Sequence, residues 1–429
     1  MKVNSYILLI ILFLASSFDA FSLFGIPLEW IFTSIVIFLG AFLIKPKLFK
    51  KFNYLKIWAV FIYICSILSC LFVFTYGGDL KSLYPSNTTT GYWVYIILRY
   101  LTLVLPIVAI LLFINLSQLQ YNRLNRVIII WGGVIALYSI YSYLAVIYDL
   151  PILSKSRMST SGGEQKDFYA NYIINRATGT FREPAFLGAW LLLPFFVSLK
   201  VKSIISFTSR SLIILAVLLT GSLTAYITLF LSLIVYFVLK AIKESSTVVK
   251  FISKMAGAAA SVLIILSFVL YIFINIAEVN LEYYTDFIWN RVKPIVYGME
   301  IAETNRADPY KYIIENGIPW IGNGPGNANL LLTQFKGSST ISSFLNIYIN
   351  YLFAVGILFS PILIAIFIYP LWLCVEKFSK ITPQVISLYV SMLIVGSALN
   401  QEFSIALIYS ICFIIYESKK GTFQSNLSY

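Results

Sequence analysis

Apolar runs about as long as a bilayer is thick recur along almost the whole chain, and they limit the folds open to it. A segment in lipid has to satisfy its backbone hydrogen bonds internally, which favours α-helices over open sheets. With 59% hydrophobic and 11% charged residues, the 429-residue chain is too apolar for a soluble protein. These observations predict an all-α polytopic membrane protein.

The positions of the basic residues predict how the chain is threaded. Lysine and arginine gather in short segments such as residues 45–56 and 240–254, which the positive-inside rule assigns to the cytoplasm. Two longer segments, at about residues 149–184 and 277–339, carry balanced charge and are predicted to lie outside. The pattern predicts about twelve transmembrane helices with both termini inside. It also accounts for the net charge of +13 without a nucleic-acid partner.

The apolar runs continue without an intervening soluble domain, so residues 1–429 are predicted to form a single integral membrane domain. The run at 211–239 is too long for one span, and the Thr220-Gly221-Ser222 sequence predicts a break within it. Residues 341–354 mix polar and apolar side chains and are predicted to lie along the membrane interface. The first run lacks a small-residue cleavage site and is predicted to be retained.

Residues that commonly hold metals are scarce. The chain has no histidine, which excludes histidine ligands and histidine general bases. The cysteines lie within apolar runs at spacings that match no metal site, so we interpret them as small buried hydrophobes. They are Cys65, Cys70, Cys374 and Cys412. We therefore predict neither a metal nor a cofactor.

The first candidate site is residues 175–188, which read N-R-A-T-G-T-F-R-E-P-A-F-L-G and lead directly into an apolar run. Arg176 and Arg182 are candidates to clamp a phosphate with paired guanidinium hydrogen bonds. Glu183 is a candidate general base, and Pro184 after it suits the first turn of a helix. Two alternatives stay open: the arginines contact lipid headgroups, and Glu183 only caps the helix.

The second candidate site lies in the longer outer segment. Its tail reads G-I-P-W-I-G-N-G-P-G-N-A-N, and such a loop can expose backbone N–H groups to an anion, although ordinary turns share this composition. The basic residues before the tail are Arg291, Lys293, Arg306 and Lys311. The candidate glycines are Gly317, Gly322 and Gly324.

Three further candidates lie within or beside apolar runs. Arg99 is eight residues into the predicted span 92–114, and a charge at that depth is a functional hypothesis by default. Asn346 and Tyr348 come shortly before Gly356. The break at 220–225 would place polar backbone at membrane depth, where it should line protein or a cavity. In contrast, the acidic residues at span ends are interpreted as structural; they are Asp19, Glu29 and Glu402.

In this order the motifs resemble those of the bacterial oligosaccharide repeat-unit polymerases of the O-antigen and capsule (Wzy) type. Arg306 and Gly317 are separated by ten residues, as in the arginine-x10-glycine motif of such polymerases. The first outer segment departs from it, because the glycine after Arg176 comes one residue late, at Gly188.

Other motifs resemble the O-antigen ligases of the same superfamily. P-W-I-G-N-G is similar to their P-x-x-G-x-G segment, and Asn346, Tyr348 and Gly356 match their Asn-x-Tyr…Gly pattern. There are two departures. Leu345 stands where ligases commonly carry histidine, and Leu223 replaces the arginine of a Thr-x-Ser-Arg segment.

The resemblance implies a GT-C-like membrane glycosyltransferase of the bacterial inner membrane with its active site facing the periplasm. It would polymerise undecaprenyl-diphosphate-linked oligosaccharides into O-antigen or capsular polysaccharide, as in lipopolysaccharide biosynthesis, with inversion and without nucleotide sugars. Its expected catalytic residues are Arg176, Arg182, Glu183 and Arg306. Its expected substrate-binding residues are Arg99, Arg291, Lys293, Gly317, Gly322, Gly324, Asn346 and Tyr348.

The partners implied are the lipid-linked oligosaccharides, the bilayer, a chain-length regulator and a flippase. Two other functions remain open: a ligase that transfers glycan to lipid A core, against which the absent histidine counts, and a flippase for lipid-linked oligosaccharides. A flippase should place charges along many spans, whereas here the charge within spans is nearly confined to Arg99. A non-enzymatic assembly scaffold would not need arginines near the outer mouths of the spans.

Overall fold

The structure is a computed structural model that describes residues 4–23, 26–43, 52–77, 91–156, 176–245, 308–338, 341–344, 346–399 and 404–419. Fourteen helices fall within these residues. The first eight are α1 Ser5–Ala15, α2 Leu28–Ala41, α3 Asn53–Tyr76, α4 Tyr92–Ile114, α5 Gln118–Ile147, α6 Pro184–Ser198, α7 Ile204–Leu219 and α8 Leu223–Glu244. The others are α9 Asp308–Asn316, α10 Asn327–Lys336, α11 Ile347–Val355, α12 Ser360–Glu376, α13 Pro383–Ala398 and α14 Ile405–Ser418.

A short antiparallel hairpin precedes α2. It consists of β1 Ser22–Leu23 and β2 Ile26–Pro27. Among the described residues the remainder of the regular structure is helical, as the apolar runs predict.

Four of the described helices, α3, α4, α5 and α8, are long and apolar enough to cross a membrane by length and composition. Seven more are apolar but shorter, namely α1, α2, α6, α7, α12, α13 and α14. The helical character and these apolar helices agree with the predicted class, a helical membrane protein. The number of about twelve spans stays a prediction.

The predicted break in the 211–239 run is confirmed. α7 ends at Leu219 and α8 begins at Leu223. Gly221 between them has φ +56°, a left-handed conformation that glycine adopts without strain. The Ala225 backbone N–H donates to the Ser222 hydroxyl, 3.4 Å away, so a serine caps the start of α8.

Buried polar side chains close one end of the helix bundle. Glu417 on α14 accepts hydrogen bonds from Lys200 Nζ at 2.7 Å, from Tyr121 at 2.9 Å and from the Thr382 backbone N–H at 2.8 Å. A buried carboxylate needs such a full set of donors, because leaving it unpaired would be costly. We call this the Glu417 end.

The opposite end holds the candidate residues of the first outer segment. α6 finishes at the Glu417 end, where Gln384 at the start of α13 donates to the Leu199 carbonyl. α6 and α13 therefore run antiparallel, and the start of α6 lies at the same end as the last residues of α13. Asn346 Nδ2 donates to the Ser397 carbonyl at 3.0 Å and lies there too. We call this the Arg182 end, defined by residues 176–183 and Asn346.

Glycine and small polar residues let several helices approach closely. A Cβ added at Gly132 of α5 would lie 2.2 Å from Pro194 Cβ of α6, so no larger residue fits. Between α8 and α13, the Ser391 hydroxyl donates to the Ser232 hydroxyl at 2.6 Å. Small residues and interhelical hydroxyl bonds are the usual means of helix packing in membranes.

Candidate functional site

Residues 176–183 are folded tightly onto the end of α1. The Ala20 backbone N–H donates to the Thr180 carbonyl at 3.0 Å, and the Thr180 hydroxyl donates to the Ser17 carbonyl. Gly179 has φ +51°, and a Cβ there would lie 2.2 Å from the Ser139 hydroxyl of α5. Residues 176–183 are therefore seated between α1 and α5.

Arg182 is paired with Asp19. Its Nε donates to both carboxylate oxygens of Asp19 at 3.1 Å, and its backbone N–H donates to one of them at 3.1 Å. The Asp19 side chain is only 9% exposed. Within the described part of the chain, the two terminal guanidinium nitrogens of Arg182 form no hydrogen bond. They are the nitrogens that remain for a phosphate or carboxylate.

Arg176 joins two candidate sites that the sequence presents as separate. Its Nε donates to the Thr220 carbonyl at 2.9 Å, and a terminal nitrogen donates to the Gly221 carbonyl at 3.2 Å. The Ala177 backbone N–H donates to the Leu219 carbonyl at 2.9 Å. A cation with donors at the end of α7 satisfies carbonyls that have no partner within the helix and complements the helix dipole. In this structure Arg176 supports the break.

Glu183 occupies the N-cap position of α6, but its side chain makes no capping hydrogen bond. Only its backbone carbonyl takes part, accepting from the N–H groups of Phe186 and Leu187. The carboxylate is half-buried, and no described residue forms a hydrogen bond or ion pair with it. The capping alternative thus loses its hydrogen bond, although proximity to the helix dipole remains.

Lys155 also belongs to this site, although it is not among the candidates that the sequence indicates. Its Nζ donates to the Thr178 hydroxyl at 2.6 Å and to the Phe181 carbonyl at 2.7 Å. Burial lowers the pKa of Lys155 to about 8, and the nearby Asp19 carboxylate partly opposes this change. No local pattern marks the residue, because its partners lie 23 and 26 positions further along the chain.

The glycine-rich tail of the second outer segment packs against the end of α11. The Asn323 and Gly324 N–H groups donate to the Phe353 and Ala354 carbonyls at 3.0 and 2.9 Å. The prediction that this tail exposes its N–H groups to an anion is therefore wrong for these two residues. The physical reason is that a neighbouring helix end supplies the acceptors.

The candidate glycines have packing roles in the structure. A Cβ at Gly322 would lie 2.3 Å from the Ala354 carbonyl oxygen, and one at Gly324 would lie 2.1 Å from the Ser69 hydroxyl of α3. Gly317 has φ +71° and ends α9, its N–H donating to the Ile313 carbonyl at 2.9 Å.

The structure brings Arg99 and the glycine-rich tail together. A Cβ at Gly326 would lie 2.9 Å from Arg99 Cγ. The Tyr95 hydroxyl donates to the Gly326 carbonyl at 3.1 Å, and Arg99 Cζ lies 4.8 Å from the Tyr95 ring centroid. Phe113 at the far end of α4 packs on Phe413 of α14, so Arg99 lies towards the Arg182 end.

Asn346 and Tyr348 fasten α11 to α13. Asn346 Oδ1 accepts from the Tyr348 and Ile349 backbone N–H groups at 2.9 and 3.2 Å, which caps α11. The Tyr348 hydroxyl donates to the Leu393 carbonyl at 2.6 Å. Both residues thus have structural partners at the Arg182 end.

Some predicted residues lie outside the described part of the chain. They are Arg291, Lys293, Arg306 and Leu345, together with Glu402. Within the described ranges, no group of three or more acidic or cysteine residues is placed to hold a metal ion.

Comparison of the chain with protein-family models finds no matching family. Comparison with curated proteins finds no similar protein. The candidate site therefore rests on its geometry and on the sequence motifs.

Proposed function

We propose that the chain is a membrane glycosyltransferase that polymerises undecaprenyl-diphosphate-linked oligosaccharide repeat units. The observation that carries the proposal is the pair Arg182 and Glu183 at the mouth of α6. The two residues are adjacent in sequence, and no described residue forms a hydrogen bond with the terminal guanidinium nitrogens of Arg182 or with the carboxylate of Glu183. The guanidinium can stabilise the negative charge of a leaving group, and the carboxylate can accept the proton of an attacking hydroxyl.

In the proposed reaction, a hydroxyl oxygen of the incoming unit attacks the anomeric carbon of the growing chain. The bond from that carbon to the diphosphate oxygen breaks, and undecaprenyl diphosphate leaves with the bonding electrons, inverting the anomeric centre. Glu183 takes the hydroxyl proton. Arg182, with Arg306 and Arg291 from the second outer segment, stabilises the charge that develops on the diphosphate. Arg176 acts as a positioning residue by holding the break after α7.

The proposal includes a GT-C-like arrangement of about twelve spans in a bacterial inner membrane, with the Arg182 end facing the periplasm. Cysteine-accessibility labelling tests the orientation in intact cells. A cysteine at Ser338 should react with an impermeant reagent, whereas one at Ser245, at the end of α8, should be protected. Labelling of a cysteine at position 245 would contradict this topology.

The surface glycan of a deletion strain tests the function. A polymerase mutant should display one repeat unit on its acceptor, because transfer of a single unit continues without polymerisation. A complete loss of repeat units would instead indicate a ligase or a flippase. Unchanged polymer would contradict all three functions.

A further inference from the structure

The start of α10 is a buried helix N-terminus without a cap. Gly326 at the N-cap position has φ +81° and no side chain, and the first turn holds no acidic residue. Asn327 and Ala328 are almost completely buried, and no described acceptor takes their backbone N–H groups. The free N–H groups of a helix start carry partial positive charge and need an acceptor when they are buried.

Asn329 provides a second, independent observation at the same place. Its side chain is fully buried at 0% exposure, and neither its Oδ1 nor its Nδ2 has a hydrogen-bond partner among the described residues. The residue is the third of the helix, and side chains there lean back over the turn that precedes them. A buried amide with both groups unpaired is costly to the fold, so it requires a reason.

The Arg99 side chain lies beside this helix start. Its Cγ is so close to Gly326 that a Cβ added to that glycine would lie only 2.9 Å away. The Tyr92 hydroxyl donates to Asn327 Oδ1 at 3.1 Å, which fixes the first residue of the helix against α4. The Arg99 side chain thus passes beside the positive end of the helix dipole, with its Cζ 4.8 Å from the Tyr95 ring centroid, and an anion at the helix start would have this cation nearby.

We propose that the start of α10, Asn329 and Arg99 bind the glycosyl diphosphate of the incoming lipid-linked unit, whereas Arg182 serves the leaving diphosphate of the growing chain; this inference rests on the proposed function. The backbone N–H groups of Asn327 and Ala328, Asn329 Nδ2 and Arg99 supply donors for phosphate oxygens. Asn329 Oδ1 is an acceptor, which phosphate cannot use but a sugar hydroxyl can. The two unpaired groups of this amide therefore select a sugar attached to a phosphate over a phosphate alone.

The surroundings suit a ligand with a lipid chain. α4 is long and apolar enough to cross a membrane, and Arg99 lies in its second turn. Trp93 and Ile97 on the same helix expose 61% and 58% of their surface on a face turned away from Arg99, so α4 presents an apolar surface to lipid beside the candidate site. Because Asn329 is closed off from solvent in this structure, ligand entry has to separate the tail around Gly326 from α4.

Binding by the purified full-length protein in nanodiscs tests the inference. The probes are a synthetic polyprenyl diphosphate carrying one N-acetylglucosamine, the same polyprenyl diphosphate without sugar, and phosphatidylglycerol. Wild-type protein should bind the sugar-bearing probe most tightly. Asn329→Leu should weaken that binding at least about tenfold, because two hydrogen bonds to the ligand are lost.

Thermal unfolding of the same variant separates ligand binding from structure. Asn329→Leu should melt at the wild-type temperature or higher, because it replaces an unpaired buried amide with an apolar group of similar size. Arg99→Gln should weaken the binding of both diphosphates and serves as the second variant if Asn329→Leu does not fold. Asn316→Leu, a change at an exposed position of α9, is the matched control and should bind like wild type.

If Asn329→Leu binds the sugar-bearing probe with wild-type affinity, the inference is overturned. It is also overturned if the wild-type protein binds phosphatidylglycerol as tightly as the sugar-bearing probe, because that would indicate a general site for lipid headgroups. The proposed function fails separately. If wild-type protein binds none of the diphosphate probes, the glycosyltransferase proposal falls as well. If it polymerises lipid-linked units while Asn329→Leu binds normally, only this subsite is wrong.

Discussion

Arg182 Nε lies 3.1 Å from each carboxylate oxygen of Asp19, across 163 positions of sequence. The same carboxylate accepts the Arg182 backbone N–H and raises the pKa of Lys155 against the effect of burial. One buried aspartate therefore interacts with both Arg182 and Lys155. The Asp19–Arg182 pair holds Glu183, the next residue, at the start of α6.

Removing the Asp19 charge should destabilise the protein. Asp19→Asn leaves a half-buried guanidinium without its anion and should lower the free energy of unfolding by about 1.5–3 kcal/mol. Scanning fluorimetry of the detergent-solubilised protein measures the change. Arg182→Gln should cost a similar amount, and the double variant should cost less than the sum of the two. Additive losses would show that the two side chains do not interact.

Glu183→Gln should slow glycan transfer strongly with little effect on stability. Glutamine keeps the shape but cannot take a proton, so glycan transfer should slow at least about a hundredfold. The free energy of unfolding should fall by no more than the helix-dipole contribution, about 0.3–1 kcal/mol, because the carboxylate makes no capping bond. Turnover of synthetic donor and acceptor in proteoliposomes is the measurement, with Glu315→Gln on α9 as an exposed control. Normal turnover would contradict this role and leave as candidate bases a substrate phosphate or the acidic residues that flank Arg306 in sequence, namely Glu300, Glu303 and Asp308.

Lys155 should titrate near pH 8, well below the ordinary lysine value of 10.5. Its lowered pKa means that the unfolded chain binds more protons between pH 8 and 10.5, so stability should rise with pH across this interval. Below pH 8 both states are protonated and the full penalty is present. Unfolding midpoints at pH 7.5 and 9.5 measure the effect, which Lys155→Met should remove. Asp19→Asn should lower the Lys155 pKa further. The pH dependence of amine labelling at Lys155 measures this pKa directly, and a value near 10.5 would contradict the prediction.

Two glycines of the second outer segment should respond differently to alanine. Gly322→Ala places a methyl group 2.3 Å from the Ala354 carbonyl oxygen, so the tail has to leave α11. Gly317→Ala meets no atom within 4 Å and should cost only the strain of a left-handed residue, about 1–2 kcal/mol. Limited proteolysis in lipid should show rapid cleavage of the tail in Gly322→Ala alone. Equal protection of both variants would contradict the packing.

Much of the helical structure could be predicted from the sequence, because its causes are local. Apolar run length predicts the helices that can cross a bilayer, and glycine with flanking hydroxyls predicts the break at residues 220–222. Pro184 likewise predicts the start of α6, because the proline ring suits the first turn of a helix. Single candidates such as Arg182 and Glu183 also stand out, because charge is rare beside apolar runs.

The partners of those residues are decided only by the tertiary structure. Asp19 reads as an ordinary acid at a span end, and nothing near it indicates Arg182. The N–H groups of Asn323 and Gly324 cannot bind an anion, because the carbonyls at the end of α11 accept them. Asn329 is one asparagine among many until burial removes water from its amide. Hydrogen bonding and desolvation depend on which distant segments meet, and local sequence does not encode that.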